Sequence, residues 1–330
     1  MPTMKNLLIF FSLCFVYESN AQLTKNKEPF AHTFSIVARD MKTGEMAVGV
    51  QSHLFSVGTT VSWGQAGVGV IATQSFANKS FGIRGLNLMK NGKTADEALN
   101  ILLSGDTDKE ARQVAIADAR GNIAVFTGKS CVDYAGHIKG INYSVQSNMM
   151  LNNKVPDAMS QAFKENWKLP LPERVMKTLE AGRLASGSIK GKQSAALLVV
   201  KGTANNKPWD DDHLIDLRVD DKEMPLAELS RLLKVKRAYD HLNAGDYAIA
   251  SSNVKKAMDE YQAAIKLMPN NSEMQYWTAI SMANNNDIKK SSQMLQKIYS
   301  KEPNWRELTK RLTKVGLLNV TEWELRELIK

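Results

Sequence analysis

The sequence is short of cysteine: two occur among 330 residues. The first, Cys14, falls inside an apolar leader, so once that leader is removed only Cys131 remains and no intramolecular disulfide can form. Stability must then come from packing. The five histidines, His32, His53, His137, His213 and His241, show no HExxH spacing, and there is no CxxC pair, which argues against the usual zinc sites. Asp210, Asp211 and Asp212 lack the alternating oxygen ligands of a calcium loop and read as a solvated turn. Walker and dinucleotide glycine motifs are missing as well. Neither a metal nor any other cofactor is expected. The net charge of +9 comes without a basic block interleaved with aromatics and without a basic stripe on one helix face, so a nucleic-acid partner is not expected. Such a charge suits a loose attraction to anionic envelope polymers. Beyond the leader no apolar run approaches the roughly 18 to 20 residues of a membrane-spanning helix, so no transmembrane segment is expected.

What is present begins with that leader. Lys5 precedes the apolar run from Leu7 to Val16, and Ser19 and Ala21 occupy the small positions of a signal-peptidase site before Gln22. The expectation is an exported protein, periplasmic or extracellular, with residues 1–21 as signal peptide and 22–32 as a linker. At 43% hydrophobic and 23% charged residues, the composition is that of ordinary globular chains.

Between Thr33 and about Asp220 strand and helix signals come in blocks. HTFSIVARD and EMAVGVQSH flank a turn at Lys42 to Gly44 and read as a hairpin. SVGTTVSWGQAG and VGVIATQS form a second pair. Two helices follow, the second opened by Thr94 with Glu97 three residues on, a capping box. RQVAIADARGNIAVFTGKSC is another hairpin, INYSVQSNMM a further strand, residues 155 to 185 two helices, and QSAALLVVKG and HLIDLRVDD two more strands. Blocks of this kind favour packed sheets with helices outside them over an alternating parallel sheet. The fold class expected is α+β, with residues 33–223 as one domain and an all-α domain over 224–330.

Six ordered segments carry a resemblance: HTFSIVARDMKTGEMAVGVQSH, GVGVIATQSFANKSFGIRGLNLM, RQVAIADARGNIAVFTG, GINYSVQSNMM, GKQSAALLVV and WDDDHLIDLRVDD. Together they resemble the domain of unknown function 1028 family over nearly all of Thr33 to Asp221. The resemblance implies the N-terminal nucleophile hydrolase fold, a four-layer αββα sandwich, and with it hydrolysis of an amide.

Thr33 suits that chemistry. A threonine hydroxyl is a weak nucleophile, but in a first residue the α-amino group, with a pKa of about 7.7 to 8.0, lies beside it as a base. Relatives start as Met followed by TFSIVARD; here residues 22–32 stand in front, so a cut between His32 and Thr33 is required. The plainer reading makes Thr33 and Ser35 ordinary strand residues, one facing water and one facing a helix. Ser52 and His53, which follow Gln51 at the end of the second strand, stand where related hydrolases adjust the nucleophile. Asn148 is the candidate oxyanion donor. Substrate-binding candidates are Gln74, Ser75, Asn78, Arg84, Gln146, Gln193 and Ser194. Among them Arg84 could grip a carboxylate, and turn, cap or backbone duty is the plainer reading of each. The ligand expected is a small amide or peptide. Cys131 reads as a buried small hydrophobe rather than the partner of His137.

From Leu226 onward the pattern is helical with an internal period. NVKKAMDEYQAAIKLMP and DIKKSSQMLQKIYSKEP begin at Asn253 and Asp287 and end at Pro269 and Pro303, each offset by 34, the tetratricopeptide period. MQYWTAISMANNN reads as the helix between them, VKRAYDHLNAGDY as the first helix of the preceding repeat with a long connection after it, and WRELTKRLTKVGLL as a terminal cap. Stacked pairs of this kind leave a groove for a protein or peptide partner, or act as a structural appendage. Homo-oligomerisation is left open.

Overall fold

The computed structural model describes residues 32–185, 192–205, 207 and 212–330. The expected leader, the linker up to residue 31, and Asp210 and Asp211 lie outside the described residues. Strands β1 (Thr33–Arg39) and β2 (Met46–Ser52) form the expected hairpin, in register from Thr33 opposite Ser52 to Arg39 opposite Met46. Its turn is shaped by the Asp40 carboxylate, which accepts from the backbone N–H groups of Lys42 and Thr43 at 2.7 and 2.8 Å.

Six antiparallel strands make the first sheet. To β1 and β2 it adds β7 (Gly136–Gly140), β8 (Tyr143–Asn148), β9 (Ser194–Val200) and β10 (His213–Val219), in the order β10-β9-β2-β1-β8-β7. The second sheet runs β3-β4-β5-β6, from β3 (Ser62–Gln65), β4 (Gly69–Ser75), β5 (Arg112–Asp118) and β6 (Ile123–Thr127).

The two-residue period of a strand sorts the side chains into three cores. Phe34, Ile36 and Ala38 of β1 pack under α3 (Val155–Glu165), α4 (Leu171–Ala185) and the first turns of α5 (Pro225–Ala250). Val37, Val48, Val50, Leu198 and Val200 on the other face meet Val70, Ala72, Ala115, Ala117 and Ile123 of the second sheet. On the far side of that sheet Ile71, Val114 and Ile116 are covered by α1 (Ser80–Lys90) and α2 (Ala95–Ser104). Thr94 and Glu97 form the expected capping box at α2. Helix α4 lies so close over β2 that a Cβ at Gly49 would stand 2.4 Å from a methyl of Val175, which is why the strand has no side chain there.

The C-terminal region is helical: the rest of α5, then α6 (Val254–Leu267), α7 (Ser272–Asn284), α8 (Ile288–Tyr299), α9 (Asn304–Leu312) and α10 (Glu322–Leu328). Asn253, Asn271 and Asp287 cap α6, α7 and α8, each side chain accepting the N–H three residues on. The long connection expected after VKRAYDHLNAGDY is absent. Helix α5 continues to Ala250, leaving three residues before α6. It also joins the two regions: Leu226, Leu229 and Leu233 belong to the core beneath the first sheet, Ala238, Leu242 and Ala248 to the helical core. Arg237 adds a bidentate bond to Glu173 of α4, at 2.8 and 3.0 Å.

Candidate functional site

At one end of the two sheets the apolar core between them gives way to hydroxyls and amides. Thr33, Ser35 and Val37 share a face of β1, so Thr33 and Ser35 both point toward the second sheet. The reading that sent one to water and one to a helix is thereby corrected, since residues two apart in a strand cannot face opposite ways. Thr33 is half-buried and Ser35 fully buried. Register brings Ser52 of β2 opposite Thr33 on one side and Asn148 of β8 opposite it on the other. Thr33 Oγ1 and Ser52 Oγ lie 2.8 Å apart and share a hydrogen bond.

Beneath them runs a buried network that ties the sheets together. Gln146 Nε2 donates to Ser35 Oγ at 2.6 Å, and Ser35 Oγ donates to Gln74 Oε1 at 2.5 Å. Gln74 Nε2 and Asn148 Nδ2 both donate to Gln113 Oε1, at 2.7 and 3.0 Å. Gln113 Nε2 in turn reaches Thr127 Oγ1 at 2.9 Å and the carbonyls of Ser147 and Gly136 at 3.0 and 3.2 Å. Thr127 Oγ1 also bonds His137 Nδ1 at 2.8 Å. The Thr33–Ser52 pair and the separate network around Gln113 are built of neutral hydroxyls and amides, so what this end of the sandwich offers a ligand is hydrogen bonding rather than an ionic anchor.

The sequence candidates divide accordingly. Thr33, Ser52, Asn148, Gln146 and Gln74 are brought together. His53 follows β2, and its backbone N–H donates to the carbonyl of His32 at 3.2 Å. Gln193 reaches the same end through its backbone, which donates to Ser52 O at 3.0 Å. Ser194 is spent on structure, accepting from Val57 N at 3.0 Å and donating to Leu54 O. Ser75 adopts a left-handed φ of 65° and, by strand alternation, turns to the α1 side of its sheet. Asn78 caps the entry to α1, accepting from Ser80 N at 3.1 Å while donating to Asp106 at 3.2 Å. Arg84 stands exposed on α1, away from that helix's buried face, and is not brought to Thr33. Gln51 faces the helices instead and lines a cavity of about 170 Å³ with Arg183, Lys192 and Ser230. Cys131 is buried, its Sγ on Arg112 O at 3.3 Å, and forms no pair with His137. Among the described residues no group of three metal-ligating side chains occurs.

Sequence reasoning did not single out Gln113, Thr127 or Ser144, whose hydroxyl donates to Gln146 Oε1 at 3.2 Å. The available signal was a lone amide at Gln113, in step with the inward-facing Ala115 and Ala117.

The residue before Thr33 is also built into the fold. His32 is 3% exposed, stacks on Phe34, and leaves Nδ1 without a partner. Burial, helped by His53 and Lys192, lowers its pKa to about 4, so the ring is neutral at pH 7.

The model of a family of unknown function, DUF1028, matches residues 33–229, opening at Thr33 itself. The chain belongs to DUF1028. Among solved structures, it is similar to the crystal structure of protein SPO2555 from Silicibacter pomeroyi, also described by the DUF1028 family model. The two are 29% identical with a TM-score of 0.55, over 62% of this chain and 88% of that one. No curated protein matches. The DUF1028 match takes in the whole site from Thr33 to Ser194 and stops inside α5.

Proposed function

We propose that this DUF1028 protein is an exported amidohydrolase of the N-terminal nucleophile type, with Thr33 as nucleophile and base once the His32–Thr33 bond is cut. The observation that carries this reading is the position of Thr33: first residue of a central strand, side chain between the sheets, Oγ1 2.8 Å from Ser52. Helices outside two facing sheets suit the four-layer αββα order of such hydrolases, an analogy of fold that supports the chemistry without supplying it. In the reaction the freed α-amino group takes the Oγ1 proton as Oγ1 attacks the amide carbon. That proton passes to the departing amine, and water then splits the threonyl ester to release the acid and restore the hydroxyl. Ser52 orients the nucleophile, and the second amide N–H of Asn148 is the donor for the oxyanion. The helices after the sandwich, offset by 34 residues, are read as a tetratricopeptide-like binding module.

One observation favours a second reading, a non-catalytic binding protein on the same fold. His32 is buried and its carbonyl accepts from His53 N–H, so the bond before Thr33 is part of the packed structure. The deciding experiment is intact mass and N-terminal sequencing of the mature protein from its native envelope or medium. A chain starting at Thr33 supports hydrolysis, and turnover in an amide-substrate screen should then vanish in Thr33→Ala. A chain starting at Gln22 sinks the threonine mechanism and leaves the binding reading.

A further inference from the structure

In the helical region α5, α6, α7 and the segment between α9 and α10 line an open cavity of about 430 Å³. That is within the roughly 300 to 1,000 Å³ of small-molecule sites. Ile249 of α5, Trp277 and Ile280 of α7 and Leu317 give it apolar walls. Two polar groups stand out against them. Asp246 has one carboxylate oxygen fixed by the Tyr261 hydroxyl at 2.7 Å, and no cation pairs with it among the described residues. Ser281 is 6% exposed, adjoins Tyr261, and completes no hydrogen bond of good geometry with its hydroxyl.

The position of Asp246 is electrostatically unfavourable. It lies near the C-terminal end of α5, where the helix presents its negative pole, and the last turn holds no basic residue to offset it. Tyr261 does not relieve this, because burial and the bond to Asp246 raise its pKa and keep it a neutral donor. The protein as a whole is basic, so this is a negative pole within a positive molecule. A cation entering here would meet the carboxylate and the helix terminus, both of which attract it, beside the Trp277 wall.

We infer that this cavity binds a small organic cation, its ammonium set against Asp246 and its apolar body held between Ile249, Trp277, Ile280 and Leu317. The inference deepens the reading of the helices as a binding module and owes nothing to the chemistry at Thr33, so either can fail alone. The test titrates the full chain with n-hexylammonium and with its neutral counterpart, hexan-1-ol, following the Trp277 indole N–H by NMR. Trp277→Phe assigns the signal. Hexylammonium should bind about fivefold more tightly than the alcohol, and the preference should fall to about one in Asp246→Asn and shrink in high salt. Equal binding of amine and alcohol by the wild-type chain would overturn the inference, as would an unmoved Trp277 signal at millimolar amine. The wild-type contrast decides the matter even where Asp246→Asn does not fold.

Discussion

The sandwich and the helices that follow it differ in how much polar chemistry they bury and from how far along the chain they gather it. The sandwich buries neutral amides and hydroxyls between its sheets, on residues as far apart in sequence as Ser35 and Gln146. The helical region buries a smaller polar knot, the Thr309 hydroxyl bonded to those of Tyr276 and Tyr299 at 3.0 and 2.7 Å, and adds local groups on its surface, as caps at Asn253, Asn271 and Asp287 and as short-range pairs such as Lys290 with Asp287 and Arg311 with Glu307. A helix hairpin satisfies its backbone from neighbours in sequence. A sheet sandwich meets distant residues wherever register puts them, so it can assemble a buried polar site that no local rule builds.

That contrast can be broken most forcefully at Gln113, the residue with bonds to both sheets. Gln113→Leu would leave Gln74, Asn148 and Thr127 without their buried partner. At about 1 to 3 kcal/mol for each stranded group, we expect a loss of about 4 kcal/mol in urea denaturation. A loss below about 1 kcal/mol would show that the network does not hold the sheets together. The next effect concerns His32. Its folded pKa of about 4 lies below the ordinary 6.5, so its contribution is full above pH 6.5 and is lost as pH falls through that range toward 4. The expected loss is about 3 kcal/mol, and His32→Gln should flatten the profile. A chain already cut before Thr33 should lack this slope, which makes a stability titration a second assay of processing.

In the helical region Gly245→Ala would put a Cβ 2.4 Å from the Tyr261 ring and part α5 from α6. The strain of about 1 to 3 kcal/mol is partly offset by alanine's better helix propensity, so a net loss of about 1 kcal/mol is expected in thermal melts. The smallest test compares one motif in both regions. Thr94 and Thr321 each form a capping box. Thr94→Ala should cost about 1 kcal/mol of global stability, and Thr321→Ala should show mainly as faster hydrogen exchange in the terminal helix α10.

Much of the fold was legible because its signals are local. The hairpin turns at Lys42–Gly44 and Asp118–Asn122 and the box at Thr94 depend on residues within a few positions of one another, and the 34-residue offset of Asn253 from Asp287 is a repeat that shows without knowledge of any contact. Strand β7 was missed because GHIKG is a short edge strand with no buried residue to set an alternation. The reading of VKRAYDHLNAGDY as a helix followed by a long connection stops it at Tyr247, whereas α5 runs on to Ala250, with Gly245 small to admit Tyr261. Helix α10 was overlooked although Thr321 and Glu324 spell its cap. At the site, Ser52 and Asn148 could be singled out as polar strand ends, but their meeting at Thr33 is a matter of register. Arg84 drew attention through its glycines, and those serve packing: a Cβ at Gly82 would stand 2.1 Å from Trp63, and one at Gly85 2.5 Å from Ile71. Gln113 escaped notice because a single amide in RQVAIAD looks like an interruption of a strand rather than the hub of a network.

Helix α5 has a mechanical consequence. Its 26 residues, about 39 Å of rod, are anchored by three leucines under the sheet at one end and by small residues against α6 at the other. Between the two cores the chain runs as this one helix, with no loop within residues 225–250. Its first turns, through Leu226 and Ser230, border the cavity beside Gln51. Gln51 neighbours Ser52, the hydrogen-bond partner of Thr33, so the rod reaches to within one strand position of the group that holds the Thr33 hydroxyl.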